Sequence, residues 1–380
     1  MDNFSKITIQ KPSRLEYIDG LRAVAAIGIL LYHAFQFFFI SSGRELTWQA
    51  RIFSTGHLFV VMFVILSGFC LALPHAFRPD APHRTGPFLA KRAWRILPPY
   101  YIVLSSLTLV TLTPMVARAL GRRTDGFDVL THVFLVHNLF PAHIFEISAH
   151  LWSVALEMQL YLAVALMLPW LSRPRALLAV TGVISGAWWT YGLVQAIQYP
   201  SEIVWVYWYA VPSVLAPCAW AMLAAVRMVQ SATVRPNLLA GLGLIALAVG
   251  FWLPYRDATG TPWIIGGFVM HKPYGMIAVA IGSILLLRAG RESVLARALA
   301  WPPLVWIGQR SFTLYLLHMP LIRLMALLLA KRVPTDALVL VTFASAILVG
   351  MLSVLAYPLL EAPFTKLPSR ATAQPGTNPA

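Results

Sequence analysis

Arg22 and His33 stand 11 residues apart in the apolar stretch LRAVAAIGILLYHAF. On a helix, eleven steps of about 100° return within ~20° of the same face and climb about 16 Å. A positioned imidazole can serve as a general base or as a nucleophile. Inside an apolar span it must face other helices or a wet cavity, because lipid leaves its nitrogens unpaired. The plainer explanation is an interhelical hydrogen bond that fixes packing.

Other chemistry-bearing residues recur along the chain. KRAWRILPPYY sets Arg92 and Arg95 at (i, i+3), followed by Pro98 and Pro99. Two guanidinium forks on one face suit phosphate oxygens, though they also suit simple anchoring at a membrane edge. HLWSVALEMQLYL carries His150, Ser153, Glu157 and Tyr161 on one helical stripe. Glu157, about two turns into the membrane, needs a partner; it can orient His33, accept a sugar hydroxyl, or form a structural ion pair. SFTLYLLHMPLIR places Tyr315 and His318 at (i, i+3), with Arg323 deeper. YPLLEAPF ends the last apolar run on Glu361, and LSGF puts Ser67 and Gly68 inside the second. Gly68 admits close approach of a backbone or a ligand, and helix packing explains it equally well. His132, His137, His143 and His150 match no standard ligand spacing, so no metal is expected.

These residues need a scaffold, and composition names its kind. Of 380 residues, 59% are hydrophobic and 11% charged, against about 25% charged in a soluble domain. Several apolar runs exceed the ~20 residues that cross a bilayer as helix. The expected fold is therefore all-α and polytopic. It comprises ten membrane helices near 21–40, 57–74, 98–114, 151–171, 176–193, 205–226, 237–254, 270–288, 311–330 and 337–360. Residues 125–150, apolar but broken by His, Asn and Pro, read as a re-entrant or interfacial segment. Residues 1–14 form an N-terminal segment without the features of a signal peptide, 15–367 the membrane domain, and 368–380 a disordered tail.

The net charge of +15 is spread over short segments between apolar runs, which argues for membrane orientation and against nucleic acid. One alternate set of segments holds 18 Lys and Arg, counting Arg288 at its span's edge; the other holds 8. Both termini are accordingly expected in the cytoplasm. Arg22 then lies at the cytoplasmic side and His33 near the midplane of a ~30 Å hydrocarbon core. Cys70 and Cys218 sit inside apolar runs and suggest no disulfide framework.

From about Tyr17 to Phe364 the chain resembles the membrane-bound acyltransferase-3 family of bacterial enzymes. Arg22 and His33, within YIDGLRAVAAIGILLYH, match its Arg, ten residues, His motif. LSGF, FLAKRAWRILPPY, HLWSVALEMQLYL, SFTLYLLHMPL and LEAPF resemble its later signatures, in the expected order. Met158 stands where a second Glu is frequent, Val61 where many members have Asp, and Phe312 replaces a common Tyr. These departures bear on acceptor contacts more than on the core chemistry. With no appended SGNH-type domain in view, a stand-alone member is expected.

The resemblance implies transfer of an acyl group, usually acetyl, from cytoplasmic acyl-CoA to a hydroxyl of a saccharide or similar acceptor, in the bacterial inner membrane. It assigns His33 with Arg22 to catalysis and Arg92 with Arg95 to the donor. Glu157 is the expected orienting carboxylate. Tyr315 or Ser67 would polarise the thioester carbonyl, and His318 joins them on the donor side. The donor is expected to reach His33 through a polar channel, with His33 acting as base or forming an acyl-histidine. Membrane lipids are the surrounding partners, and nothing in the sequence sets the oligomeric state. A transporter of a lipid-linked sugar is the rival class, since buried His, Glu and Arg also line carrier pathways. A succinyl-type transferase is the rival within the enzyme class.

Overall fold

The computed structural model describes residues 15–45, 47–113, 124–198, 210–233, 235–259, 264–265, 268–269 and 271–367. The segments 1–14 and 368–380 lie outside the described residues. The helices are α1 (Glu16–Ser42), α2 (Trp48–Ile52), α3 (Phe59–Phe77), α4 (Thr85–Thr111), α5 (Gly126–Val133) and α6 (Trp152–Met167). They continue as α7 (Pro174–Gln198), α8 (Val211–Gln230), α9 (Pro236–Thr259), α10 (His271–Ala289), α11 (Val294–Leu299) and α12 (Pro302–Gln309). α13 (Ser311–Leu329), α14 (Leu338–Leu355) and α15 (Tyr357–Leu360) complete those among the described residues. Two-residue strands, Ile264–Ile265 and Phe268–Val269, pair between α9 and α10.

A helix overlaps each of the ten expected spans. Among the described residues, seven helical stretches are long and apolar enough to cross a bilayer, fewer than the ten expected. The apolar parts of α9 and α10 are shorter, and α4 carries Lys91, Arg92 and Arg95 in its first half. Leu166, Val183, Leu340 and Ile347 point outward, more than 60% exposed. Such a greasy exterior suits hydrocarbon rather than water. The protein is a multi-pass membrane protein.

α1 is the hub. It packs on α3, α12, α13 and α14. Its start is clasped tightly: a Cβ on Gly308 would fall 1.8 Å from the Asp19 carbonyl oxygen, so α12 can approach α1 only through glycine. Gly68 serves the same purpose between α3 and α8, where a Cβ would sit 2.8 Å from Cys218 Sγ. Helix packing, not a ligand, accounts for it.

Prolines inside helices set up two of the interhelical bonds. Proline has no N–H, so the carbonyl four residues earlier loses its helical donor, a loss that must be repaired away from water. Pro320 frees the Leu316 carbonyl, and His150 Nε2 donates to it at 3.1 Å. Pro217 frees the Ser213 carbonyl, and the Trp189 indole donates to it at 3.2 Å.

Residues 124–151 dock against α4 and α6. The Tyr100 and Tyr101 hydroxyls donate to the carbonyls of His132 (2.9 Å) and Val133 (2.8 Å). Asn138 and Gln159 exchange amide hydrogen bonds at 2.8 and 3.1 Å. His132, His137, Asn138 and Ile144 are fully buried, while Phe134, Leu130 and Phe127 face outward. Leu135 and Ile147 mark bends with φ of 55° and 56°, a conformation disfavoured for a β-branched side chain such as Ile147.

Candidate active site

A cavity opens where α1, α3, α4, α6 and α13 converge. Arg22, Ser67, Arg92, Arg95, Glu157 and Tyr315 all line it, with Ser153, Tyr161 and apolar residues between them. Six of the eight residues given catalytic or donor roles from the sequence thus meet in one space, although they come from five helices.

The two arginines of α4 do different work. Arg95 Nη2 donates to Glu361 Oε1 at 2.9 Å, and Glu361 is fully buried. The other carboxylate oxygen accepts from the Thr313 hydroxyl (2.8 Å) and the Thr313 backbone N–H (3.3 Å). Thr313 lies in the first turn of α13, where unpaired N–H groups and the helix dipole favour an anion. Glu361 therefore ties α4 to the start of α13. Arg92 is half-buried, its guanidinium over the Phe88 ring at 5.9 Å, and its Nε is buried without a partner among the described residues. Arg22 Nε is likewise buried and unpartnered. Among the described residues that line the cavity, Arg22 and Arg92, not the Arg92–Arg95 pair, are the cations left to meet an anionic ligand.

Glu157 accepts a short hydrogen bond from the Tyr161 hydroxyl, one turn further along α6. Its hydrogen bond is to Tyr161 and not to His33, so of the two roles expected of it, orienting His33 or orienting the acceptor, this geometry offers the second. The Nδ1 of His33 faces Gln36 Oε1 at 3.2 Å. An amide oxygen only accepts, so Nδ1 carries the hydrogen and Nε2 keeps its lone pair. Gln36 was missed in the sequence; its place one turn after His33 on the same helix was the available signal.

His33 lies outside the lining of the cavity, beyond the end formed by Tyr315. Tyr315 closes that end. Its hydroxyl donates to the His150 carbonyl (3.0 Å) and shares a hydrogen bond with the Ser153 hydroxyl (2.5 Å). The Tyr315 ring lies 5.3 Å from that of His318, which lies 5.2 Å from His33. His318 is 1% exposed and belongs with His33 rather than with the cavity-lining donor residues. His150 also touches this group, 5.4 Å from His318. Both its nitrogens are engaged, Nε2 with Leu316 and Nδ1 with the Ser148 hydroxyl at 3.0 Å. Ser67 is nearly buried, lines the cavity and makes no hydrogen bond among the described residues. His33 is also flanked by half-buried Tyr32 and Phe37, and Phe37 by Arg323.

One group away from the cavity has metal-like composition. Asp125, Asp128 and His143 each bring a ligand atom within 4.8 Å of the others. Their mutual bonds explain the cluster: Asp125 and Asp128 form the capping box of α5, and Asp128 Oδ1 meets His143 Nδ1 at 2.6 Å. The Asp128 backbone N–H holds the exposed Asp125 carboxyl below the usual range.

The chain is similar to several known proteins. The chain is 24% identical over 371 residues to peptidoglycan O-acetyltransferase OatA of Listeria monocytogenes, covering 92% of this chain and 55% of that protein. It is 25% identical over 383 residues to O-acetyltransferase OatA of Staphylococcus aureus, covering 95% and 59%. A putative peptidoglycan O-acetyltransferase, YrhL of Bacillus subtilis, is 25% identical over 328 residues, covering 80% and 48%. The chain thus spans a little over half the length of the curated relatives it matches first. No solved structure matches it. The model of the acyltransferase-3 family, described as an acyltransferase domain, matches residues 15–357, and the chain belongs to that family.

Proposed function

We propose that this protein is a membrane O-acyltransferase. It moves an acyl group, acetyl in our reading, from acyl-CoA to a hydroxyl of a saccharide, with His33 as general base. The observation that carries the reading is the cavity joining Arg22, Arg92 and Ser67, whose end at Tyr315 leads through His318 to His33. Arg22 and Arg92 would hold the phosphates of CoA, and Ser67 would donate to the thioester carbonyl. Glu157 with Tyr161 would line the path of the pantetheine arm. The thioester reaches His33 only once the Tyr315 and His318 side chains make room. A positioned base contributes roughly 10²–10⁴-fold to such a step. The names of the relatives favour a peptidoglycan-type glycan as acceptor.

The distribution of Lys and Arg supports an orientation with both termini in the cytoplasm, and with it ten spans in the bacterial inner membrane. The donor then enters from the cytoplasm and the acceptor from the opposite face. The test uses labelled acetyl-CoA and membranes from cells that make the full chain. Wild type should label envelope glycan; His33→Ala should abolish labelling while the detergent melting temperature stays near wild type. Labelling by His33→Ala at a comparable rate would refute the reading.

A further inference from the structure

We propose that His318 is a second catalytic imidazole, which carries the proton from His33 to the departing CoA sulfur. The inference rests on the reading of His33 as base toward an acyl-CoA donor.

Three observations support it. The Nδ1 of His318 meets the Tyr315 carbonyl at 2.6 Å, and a carbonyl only accepts, so Nδ1 carries the hydrogen and Nε2 the lone pair. That Nε2 is fully buried and has no hydrogen-bond partner among the described residues. Buried polar atoms are ordinarily paired, and the neighbouring His150, on equally buried ground, has both nitrogens satisfied. Finally, the His318 ring stands between His33 at 5.2 Å and Tyr315 at 5.3 Å, and Tyr315 lines the donor cavity. Of the two buried histidines beside this group, His318 and not His150 keeps an idle lone pair, and His318 is the one next to both His33 and the cavity-lining Tyr315. The ionisable groups around it are His33 on α1, His150 ahead of α6 and Tyr315 on its own helix.

The step balances without any further reactant. The acceptor oxygen attacks the thioester carbon as its proton passes to His33 Nε2. The tetrahedral intermediate collapses, the C–S bond breaks, and its electron pair leaves on sulfur as thiolate. The proton passes from His33 to His318 Nε2 and from there to sulfur. An ester and a thiol result, both imidazoles are neutral again, and nothing is oxidised or reduced.

The test separates proton chemistry from packing by chemical rescue. Full-length His318→Gly in membranes supplied with [14C]acetyl-CoA should label glycan about 100-fold or more slowly than wild type, within the range of general acid–base effects. Its affinity for acetyl-CoA should be unchanged. Added imidazole should restore labelling, whereas pyrazole, of the same shape but a far weaker base, should not. Equal rescue by both azoles would reduce His318 to a packing residue and overturn the proposal. If His318→Gly does not fold, His318→Gln, which keeps the volume, takes its place: a wild-type rate overturns the proposal, and a 100-fold loss with unchanged acetyl-CoA affinity and melting supports it. A His33→Gly protein that labels glycan normally would instead refute the reading of His33 itself.

Discussion

Arg95 and Glu361, 266 positions apart, meet at 2.9 Å with the carboxylate fully buried. Through Thr313 the same carboxylate caps the helix that carries Tyr315 and His318. One buried anion thus sets how α4, with its arginines, stands against the helix of the buried imidazole.

The two arginines of α4 should separate by phenotype. Glu361→Ala leaves Arg95, one-third exposed, without its partner and uncaps α13, and loss of hydrogen bonds to a charged group destabilises by about 1.5–3 kcal/mol. The detergent melting temperature should fall accordingly. Arg92→Ala should melt like wild type and bind acetyl-CoA about 10–100-fold more weakly, the worth of one charge-assisted bond. Equal acetyl-CoA affinity in Arg92→Ala would leave that residue a membrane anchor.

Ser67 offers the cavity a hydroxyl with no competing bond among the described residues, whereas the Tyr315 hydroxyl is committed to the His150 carbonyl. Ser67→Ala should lower kcat by up to about 10²–10³-fold, as removal of an oxyanion donor does, and leave the KM for acetyl-CoA unchanged. A kcat within twofold of wild type would exclude Ser67 from that role.

Gln36 orients His33 through Nδ1. Gln36→Leu should lower kcat tenfold or more by freeing the ring and its tautomer, with acetyl-CoA binding intact. Gln36→Glu, which still accepts from Nδ1, should recover much of the loss. If both variants transfer acyl groups normally, the contact is packing only.

His150 is assigned a structural task, pairing the carbonyl that Pro320 leaves open. His150→Leu should destabilise by about 1–3 kcal/mol, the cost of an orphaned buried acceptor. Pro320→Ala restores a helical donor and should cancel part of that loss in the double variant. Strict additivity of the two changes in melting would contradict this pairing.

The stacked pair His132 and His137, ring centroids 3.7 Å apart, should make the protein acid-sensitive. Burial pushes His137 down to about 3, and its neighbour His132 pushes in the same direction. Burial also lowers His132, against the opposing Asp128 carbonyl. Burial favours neutral rings in the fold, while the unfolded chain takes up protons below about pH 6.5. Their stabilisation is therefore complete above that pH and is lost as pH falls toward 3. His137→Gln should flatten the decline in melting temperature between pH 6.5 and 5. An unchanged slope would remove the pair as its source.

Composition and the length of the apolar runs sufficed for an all-helical membrane protein, because hydrocarbon allows a spanning backbone few alternatives. Helical spacing also sufficed to put Ser153, Glu157 and Tyr161 on one stripe, and all three line the cavity. Spacing could not tell Arg92 from Arg95, which share a face of α4, since only the distant Glu361 distinguishes them. Nor could it separate His150 from His318: each is a buried histidine near an apolar helix, and their difference lies in which carbonyls the fold brings to their nitrogens. Local sequence determines which residues share a helix face. Which face meets which partner is set by long-range packing around α1, and that decides which polar atoms are satisfied and which remain available for chemistry.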